Sequence, residues 1–152
     1  MPGESKCTPR EIRNYLGRVS GPLLDRIDLH VEVPAVKFQE ISAEGSGEPS
    51  SEIRARVVTA RRRQQARFRD SGGITCNARM GSREVRVHCR LDESTREMLR
   101  NAMQDLGLSA RAYDRVLKVA RTIADLNGAD SIAAENLLEA IQLRSLDRQI
   151  WG

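Results

Sequence analysis

The longest amphipathic pattern in the chain is Ser109-Ala-Arg-Ala-Tyr-Asp-Arg-Val-Leu-Lys-Val-Ala-Arg-Thr-Ile-Ala-Asp-Leu126. Apolar residues recur in it at the spacing of one helix face: Ala112, Val116, Val119, Ala120, Ile123 and Leu126. Ser109 is suited to cap the start of a helix, and Asn127-Gly128 is suited to a left-handed stop. A second face carries Arg111, Arg115, Lys118 and Thr122. The stretch therefore predicts a helix with a buried apolar side and a cationic side that is either solvated or binds anions.

Further helix signals follow a linker and predict a mainly α fold. Residues 41–51 are rich in Gly, Ser, Glu and Pro, which is typical of a flexible connection. We expect a helix from residue 50 or 51 to about residue 68, and another from a cap at Asp92 to a stop at Gly107. A last helix is expected after a cap at Asp130 or Ser131.

Residues 84–91 fit two kinds of structure. Val85, Val87, Cys89 and Leu91 alternate as in a strand, but a cap at Ser82 would start a short helix. We expect the helix, because the surrounding segments are helical.

The N-terminal part has a different pattern. Thr8-Pro-Arg-Glu11 is a capping box with Pro at the first helical position, which predicts a helix start. Apolar and polar residues alternate over residues 27–33, which predicts a half-buried strand ended by Pro34. A lone strand cannot satisfy its own backbone groups, so this one requires partners. The expected division is residues 1–34, a linker over 35–50, and a helical domain over 51–148.

Composition limits the possible functions. The chain has 152 residues, a net charge of +4, and only 3% aromatic residues, so base stacking is not expected to be a major mechanism. No apolar run is long enough to span a membrane and no signal peptide is visible, so a cytoplasmic location is expected. No metal site is expected, because the cysteines and histidines show no ligand spacing: Cys7, Cys76, Cys89, His30 and His88.

The sequence contains no complete catalytic centre. It has neither a G-x-x-x-x-G-K-[ST] phosphate loop nor an acidic run after a hydrophobic strand that could hold magnesium. We therefore expect no ATP hydrolysis by this chain alone. Its second cationic feature is the run from Arg61 to Arg69, which is either a solvated helix face or a phosphate track. The candidate nucleic-acid-binding residues in it are Arg61, Arg62, Arg63 and Arg67.

Three runs resemble a known family. Ser20-Gly-Pro-Leu-Leu-Asp-Arg-Ile-Asp-Leu-His-Val-Glu-Val-Pro34 resembles the last core strand of AAA+ ATPases of the magnesium-chelatase and replicative-helicase (MCM) branch. Together with Ser109-Ala-Arg-Ala-Tyr113 and Ala120-Arg-Thr-Ile-Ala-Asp-Leu126, it is similar to the magnesium-chelatase-related proteins of bacteria, the ComM/YifB family. The resemblance extends from about Cys7 to Arg148 and covers only the C-terminal part of that family's architecture.

This resemblance implies a helical bundle like an AAA+ lid domain, preceded by a fragment of the ATPase core. That fragment is one helix and one orphan strand, so we expect the residues before Pro34 to be poorly ordered or placed unlike in the complete protein. The full-length protein is expected to use ATP and magnesium, neither of which this fragment binds alone. It is expected to form a hexamer and to act as a DNA-remodelling motor in recombination or transformation, with a tetrapyrrole substrate ranked lower.

The resemblance also implies two functional arginines. Leu24-Asp-Arg-Ile-Asp28 matches the pattern whose arginine serves as a finger in the ATP site of a neighbouring subunit, so Arg26 is the candidate finger. Arg111 matches the sensor-2 position, which contacts nucleotide phosphates. A planar, permanently charged guanidinium suits both roles. The plain alternative for Arg26 is a surface pair with Asp25 or Asp28, which would contribute little.

A second function from another class remains open. The chain could be a stand-alone basic helical module that binds nucleic acid through arginines of one segment: Arg54, Arg61, Arg62, Arg63, Arg67 and Arg69. Such a module should bind nucleic acid by itself, with an affinity that falls steeply with salt.

Overall fold

The computed structural model describes residues 47–144 continuously and only some residues before them. These earlier residues are Thr8, Arg10, Glu11, Asn14, Gly17, Arg18, Leu23, residues 26–31, Val33 and Val36. The prediction about the order of residues 1–34 lies largely outside the described residues.

The described part of the chain is helical, which confirms the prediction of a mainly α fold. Its five helices are α1 (Ser50–Arg67), α2 (Ser82–His88), α3 (Glu93–Asp105), α4 (Ala110–Leu126) and α5 (Ala134–Gln142). A 3-10 turn, Asn77–Arg79, lies between α1 and α2. The helical alternative for residues 84–91 is thereby confirmed for residues 84–88.

Helix α4 is the centre of the bundle, because it contacts α1, the 3-10 turn, α2 and α5. Ser109 caps it as predicted, with its Oγ accepting a hydrogen bond from the Ala112 N–H at 3.2 Å. Gly128 has a φ of 72° after the helix, the left-handed conformation that glycine adopts without strain. The apolar face of α4 packs into the core with residues from all other helices or their ends: Phe68, Val85, Leu99, Leu137 and Ile141.

The start of α3 was also predicted correctly, whereas three other helix caps were not. The Asp92 carboxylate accepts a hydrogen bond from the Thr95 N–H at 2.7 Å. Helix α2 begins at Ser82, the predicted cap, and its cap is Gly81. Helix α1 begins at Ser50, but its cap is Pro49, whose side chain makes no hydrogen bond. Helix α5 is capped by Ala133, three residues after Asp130.

The reason for the late start of α5 is a side-chain contact between α4 and the loop before α5. The Arg121 guanidinium donates hydrogen bonds to the carbonyl oxygens of Ala129 and Asp130, each at 2.7 Å. These bonds tie the loop to α4, and Ile132 enters the core from the loop. Asn136 then accepts a hydrogen bond from the Ala133 N–H at 3.0 Å through Oδ1, and the helix starts there.

The described N-terminal residues confirm one prediction and correct another. In the capping box, the Glu11 N–H donates to Thr8 Oγ1 at 3.3 Å, and the Thr8 N–H donates to Glu11 Oε2 at 2.7 Å. The strand predicted over residues 27–33 is not formed by those of its residues that the structure describes. The His30 N–H instead donates to the Leu143 carbonyl at 2.7 Å, next to the end of α5. Alternation alone cannot make a strand without a neighbouring one.

Candidate functional site: the cationic face of the central helix

The cationic side of α4 lines an open groove of about 640 Å³. Arg111, Arg115 and Lys118 lie along one wall, at the helical spacing that places side chains on one face. The groove is also lined by Asp28 and Leu29, which belong to the described residues 26–31. The tertiary structure therefore keeps the three cations of α4 together at a concave, accessible surface.

The three cations differ in how they are held. Arg115 forms an ion pair with Asp28, and the Lys118 ammonium donates to the Ala78 carbonyl at 3.4 Å. Arg111 is exposed in the first turn of α4. It makes no hydrogen bond or ion pair with any residue that the structure describes. Arg111 is thus available to a ligand, at the helix end where backbone N–H groups favour an anion.

Arg26 lies close to this groove in sequence but is not among its described lining residues. It is exposed, and its backbone N–H donates to the Leu23 carbonyl at 3.0 Å. Asp28 pairs with Arg115 rather than with Arg26, and Asp25 lies outside the described residues. The structure therefore brings Arg111 together with Arg115 and Lys118, but it does not bring Arg26 into the same cluster.

The basic half of α1 is not one uniform exposed face. Arg61 and Arg62 are exposed, as the interpretation of a phosphate track requires. Arg63 forms an ion pair with Asp130 across the molecule. Arg67 points inward, where its guanidinium hydrogen-bonds Asp125. Two of the four candidate nucleic-acid-binding arginines therefore have carboxylate partners within the fold.

A buried polar cluster surrounds that inward-facing arginine, and sequence reasoning missed it. Asn77 donates through Nδ2 to Asp125 Oδ2 at 2.8 Å and accepts from Arg67 Nη1 at 2.9 Å. Its backbone N–H donates to Gln64 Oε1 at 3.2 Å. No local pattern around Asn77 revealed its role. One available signal was Asp125 itself, a carboxylate between the apolar residues Ala124 and Leu126, four residues after Arg121.

The charges of this cluster determine the protonation of Asp125. Burial alone would raise its pKa, but the hydrogen bonds from Arg67 and Asn77 and the charges of Arg67 and Arg121 outweigh burial. The pKa of Asp125 consequently lies below its ordinary value, and the carboxylate is ionised at neutral pH. The cluster is a structural clamp between α1, the 3-10 turn and α4.

Other kinds of site find little support in the described residues. Cys76 and Cys89 are free thiols, and within the described ranges no group of three or more His, Cys, Asp or Glu is arranged to hold a metal ion. Among the same residues, no helix combines the length and the apolar character needed to cross a membrane.

Comparison with known proteins identifies the family. Residues 47–144 match the family model for magnesium chelatase, subunit ChlI C-terminal, and residues 1–41 match the model for magnesium chelatase, subunit ChlI. The chain is 41% identical to YifB of Salmonella typhimurium and, separately, 41% identical to the competence protein ComM of Haemophilus influenzae, over 145 residues in each case. It is 36% identical over 143 residues to an uncharacterised protein of Mycobacterium bovis.

These matches cover nearly the whole chain but a minor part of each relative. The matches to YifB and to ComM each cover 95% of this chain and 28% of the relative. The match to the mycobacterial protein covers 94% of this chain and 28% of that protein. The C-terminal family model alone accounts for well over half of the chain. The chain therefore belongs to the magnesium chelatase ChlI family and corresponds to a segment of the larger YifB- and ComM-like proteins.

Proposed function

We propose that this chain is the C-terminal lid portion of a magnesium-chelatase-like AAA+ ATPase and supplies arginines to ATP sites between subunits. The groove that gathers Arg111, Arg115 and Lys118 on α4 is the observation that carries the proposal. Residues 1–34 are a remnant of the ATPase core, residues 35–50 a linker, and residues 51–148 the lid. The change from one family model to the other between residues 41 and 47 supports this division.

Arg111 acts as the sensor-2 residue and contacts the phosphates of ATP. Its exposed side chain lies at the start of α4, where the partial positive charge of the helix end and the guanidinium act on the same anion. Lys118 lines the same groove, and Arg115 would join it in binding phosphate only after leaving its ion pair with Asp28. ATP would supply the triphosphate to be cleaved and magnesium would offset part of its negative charge, while the rest of the phosphate site belongs to the larger protein.

Arg26 acts as the arginine finger of an adjacent subunit. It is exposed and lies outside the Arg111 groove. Negative charge spreads over the γ-phosphate in the transition state, and an arginine delivered in trans raises the rate by roughly three to five powers of ten. Because the finger stabilises the transition state more than bound ATP, its removal lowers turnover more than nucleotide affinity.

The parent protein is a hexamer that remodels DNA in recombination or transformation. A relative that shares 41% identity is named a competence protein, which supports the proposed role in transformation. Within the part of the chain that the structure describes, no residue points to a tetrapyrrole site, and we rank the DNA role above a tetrapyrrole role.

The test uses the full-length protein. Arg26→Ala should abolish most ATP turnover and spare nucleotide binding, and Arg111→Ala should also reduce turnover. Arg100→Ala is the matched control, because Arg100 is an exposed arginine of α3 that pairs only with Glu97, at 3.5 Å. ATP turnover and the binding of a fluorescent ATP analogue are measured for each. Normal turnover in the Arg26 or Arg111 variant would remove the role assigned to that residue.

The alternative, a stand-alone nucleic-acid module, has partial support in the exposed Arg61 and Arg62. It is weakened by the internal carboxylate partners of Arg63 and Arg67. A salt titration of DNA binding separates the two. A nucleic-acid module built on α1 would bind DNA tightly by itself, with a steep salt dependence that Arg61→Gln/Arg62→Gln reduces. A lid would bind DNA weakly, and these substitutions would not change its affinity.

A further inference from the structure

A second groove, with a volume of about 590 Å³, lies between α2, the α2–α3 loop, the start of α3 and the start of α4. Three arginines and one tyrosine line it: Arg86, Arg90, Arg96 and Tyr113. We propose that this groove binds single-stranded nucleic acid, with one base stacked on Tyr113 and the adjoining phosphates held by Arg86 and Arg90. The inference rests on the DNA role proposed above and deepens it by naming the form of nucleic acid and its contact surface.

Tyr113 is placed to stack on a base. It is 39% exposed, whereas its neighbour in the groove Leu117, one helical turn away on α4, is 3% exposed. Among the aromatic rings that the structure describes, Phe68 is buried, so Tyr113 alone presents a face to solvent. The low aromatic content rules out a platform of several rings, but one ring is enough for one base. Stacking of a base on an aromatic side chain contributes about 1–3 kcal/mol.

The arginines around the ring are available to phosphates to different degrees. Arg90 is exposed and makes no hydrogen bond or ion pair with the described residues. Arg86 uses its Nε to donate to the Ser82 carbonyl at 3.2 Å, which orients the side chain and leaves its two terminal nitrogens for a ligand. Arg96 donates to the Leu91 carbonyl at 3.1 Å and pairs with Glu93, so it mainly holds the loop that carries Arg90.

The chemistry favours a single strand over other anions. In a duplex the bases are stacked on each other, and a ring inside a concave groove cannot reach their faces. An acidic protein segment would satisfy the arginines but would make no use of the ring. The lining has one carboxylate, Asp114, against three guanidiniums, so the groove retains net positive charge. An aromatic face beside a cationic track is the usual arrangement in proteins that bind single strands.

The test measures binding of a fluorescent oligothymidine to the 152-residue chain by anisotropy over a range of salt concentrations. Tyr113→Leu should weaken binding about 5- to 150-fold, the equivalent of one lost stacking interaction, and Tyr113→Phe should retain it. Arg86→Gln/Arg90→Gln should lower the slope of log K against log salt by about 0.7 for each lost phosphate contact. Arg79→Gln/Arg100→Gln removes the same charge from two exposed arginines outside the groove and should leave the affinity nearly unchanged.

Several outcomes would overturn the proposal. These are full affinity in Tyr113→Leu, tighter binding of a duplex than of a single strand, and displacement of the oligothymidine by polyglutamate or a mononucleotide as readily as by unlabelled oligothymidine. A loss in the Arg79/Arg100 variant equal to that in the Arg86/Arg90 variant would also overturn it.

If Tyr113→Leu does not fold, Arg90→Glu replaces it, because Arg90 contacts no described side chain, and unchanged binding there would refute the site. These measurements contain no ATP. A negative result for oligothymidine binding is therefore distinguishable from a negative result for the roles of Arg26 and Arg111, which are measured as ATP turnover by the full-length protein.

Discussion

Asp125 of α4 accepts two hydrogen bonds from the guanidinium of Arg67 on α1, one of them from Nη1 to Oδ2 at 2.7 Å. The carboxylate is fully buried, and it also pairs with Arg121 at 3.1 Å. The end of α1 is therefore fastened to the central helix by a charge with two cationic partners. Losing this buried carboxylate would leave two guanidiniums without a counter-charge.

Replacing this carboxylate should be costly. Asp125→Asn removes the negative charge and leaves Arg67 and Arg121 facing each other, so we expect a loss of about 3–5 kcal/mol in the free energy of unfolding. The matched control is Asp130→Asn, because Asp130 has a fully exposed side chain in its ion pair with Arg63. That substitution should cost about 0–1 kcal/mol. Urea denaturation of both variants checks this, and equal losses would contradict the assigned clamp.

The stability contributed by Asp125 should depend on pH in one direction. Its pKa in the folded protein is below the ordinary value of 3.8. A depressed pKa stabilises the fold fully above the unfolded-state value and loses this contribution as the pH falls through the folded-state value. The difference in unfolding free energy between the wild type and Asp125→Asn should thus be constant near neutral pH and shrink below pH 3.8. A difference that persisted unchanged in acid would show that Asp125 does not titrate as proposed.

Asn77 should matter for folding although it lies in a short turn. Asn77→Ala removes the hydrogen bond to Asp125 and one acceptor of Arg67, both in the interior. Buried polar groups left without a partner cost about 1–3 kcal/mol. Arg79→Ala is the control from the same 3-10 turn, because Arg79 is exposed and should change stability by less than about 0.5 kcal/mol. Thermal or urea unfolding distinguishes them, and a neutral Asn77 variant would argue against the cluster.

The two described thiols should react at different rates. Burial raises the pKa of Cys89 to about 11, so almost no thiolate is present at pH 8. Partial burial also acts to raise the pKa of Cys76, but hydrogen bonds from the Arg79 backbone and the Arg61 side chain outweigh it and lower the pKa. Iodoacetamide should label Cys76 well before Cys89 in the native protein. Peptide mass spectrometry measures the order, and comparable rates in denaturant provide the control.

Helix positions were predictable where their signals act within one turn. Ser109 and Asp92 each cap a helix by bonding an N–H three residues later, and Gly107 and Gly128 follow the ends of α3 and α4 with positive φ. Such contacts depend only on neighbours in the chain. The predicted start of α5 was wrong by a few residues, because Arg121 of α4 binds the loop before α5.

The sequence could not predict which arginines of the run from Arg61 to Arg69 are exposed and which are paired inside the fold. In the sequence, Arg67 is indistinguishable from Arg61 or Arg62, but its partner Asp125 is 58 residues away. A contact between distant residues leaves no local spacing to detect. The strand predicted over residues 27–33 shows the same limit, since alternation is local whereas a strand exists only through hydrogen bonds to another segment.

The order of amino acids alone established the helical class, the starts of α3 and α4 and the cationic face of α4, because periodicity and capping operate over three or four residues. Matching runs of residues indicated the family in the same way, without the fold. The folded chain was needed to separate buried arginines from exposed ones and to place Tyr113 among Arg86, Arg90 and Arg96. These distinctions arise from the packing of distant segments, where burial and opposite charges select the partner of each side chain.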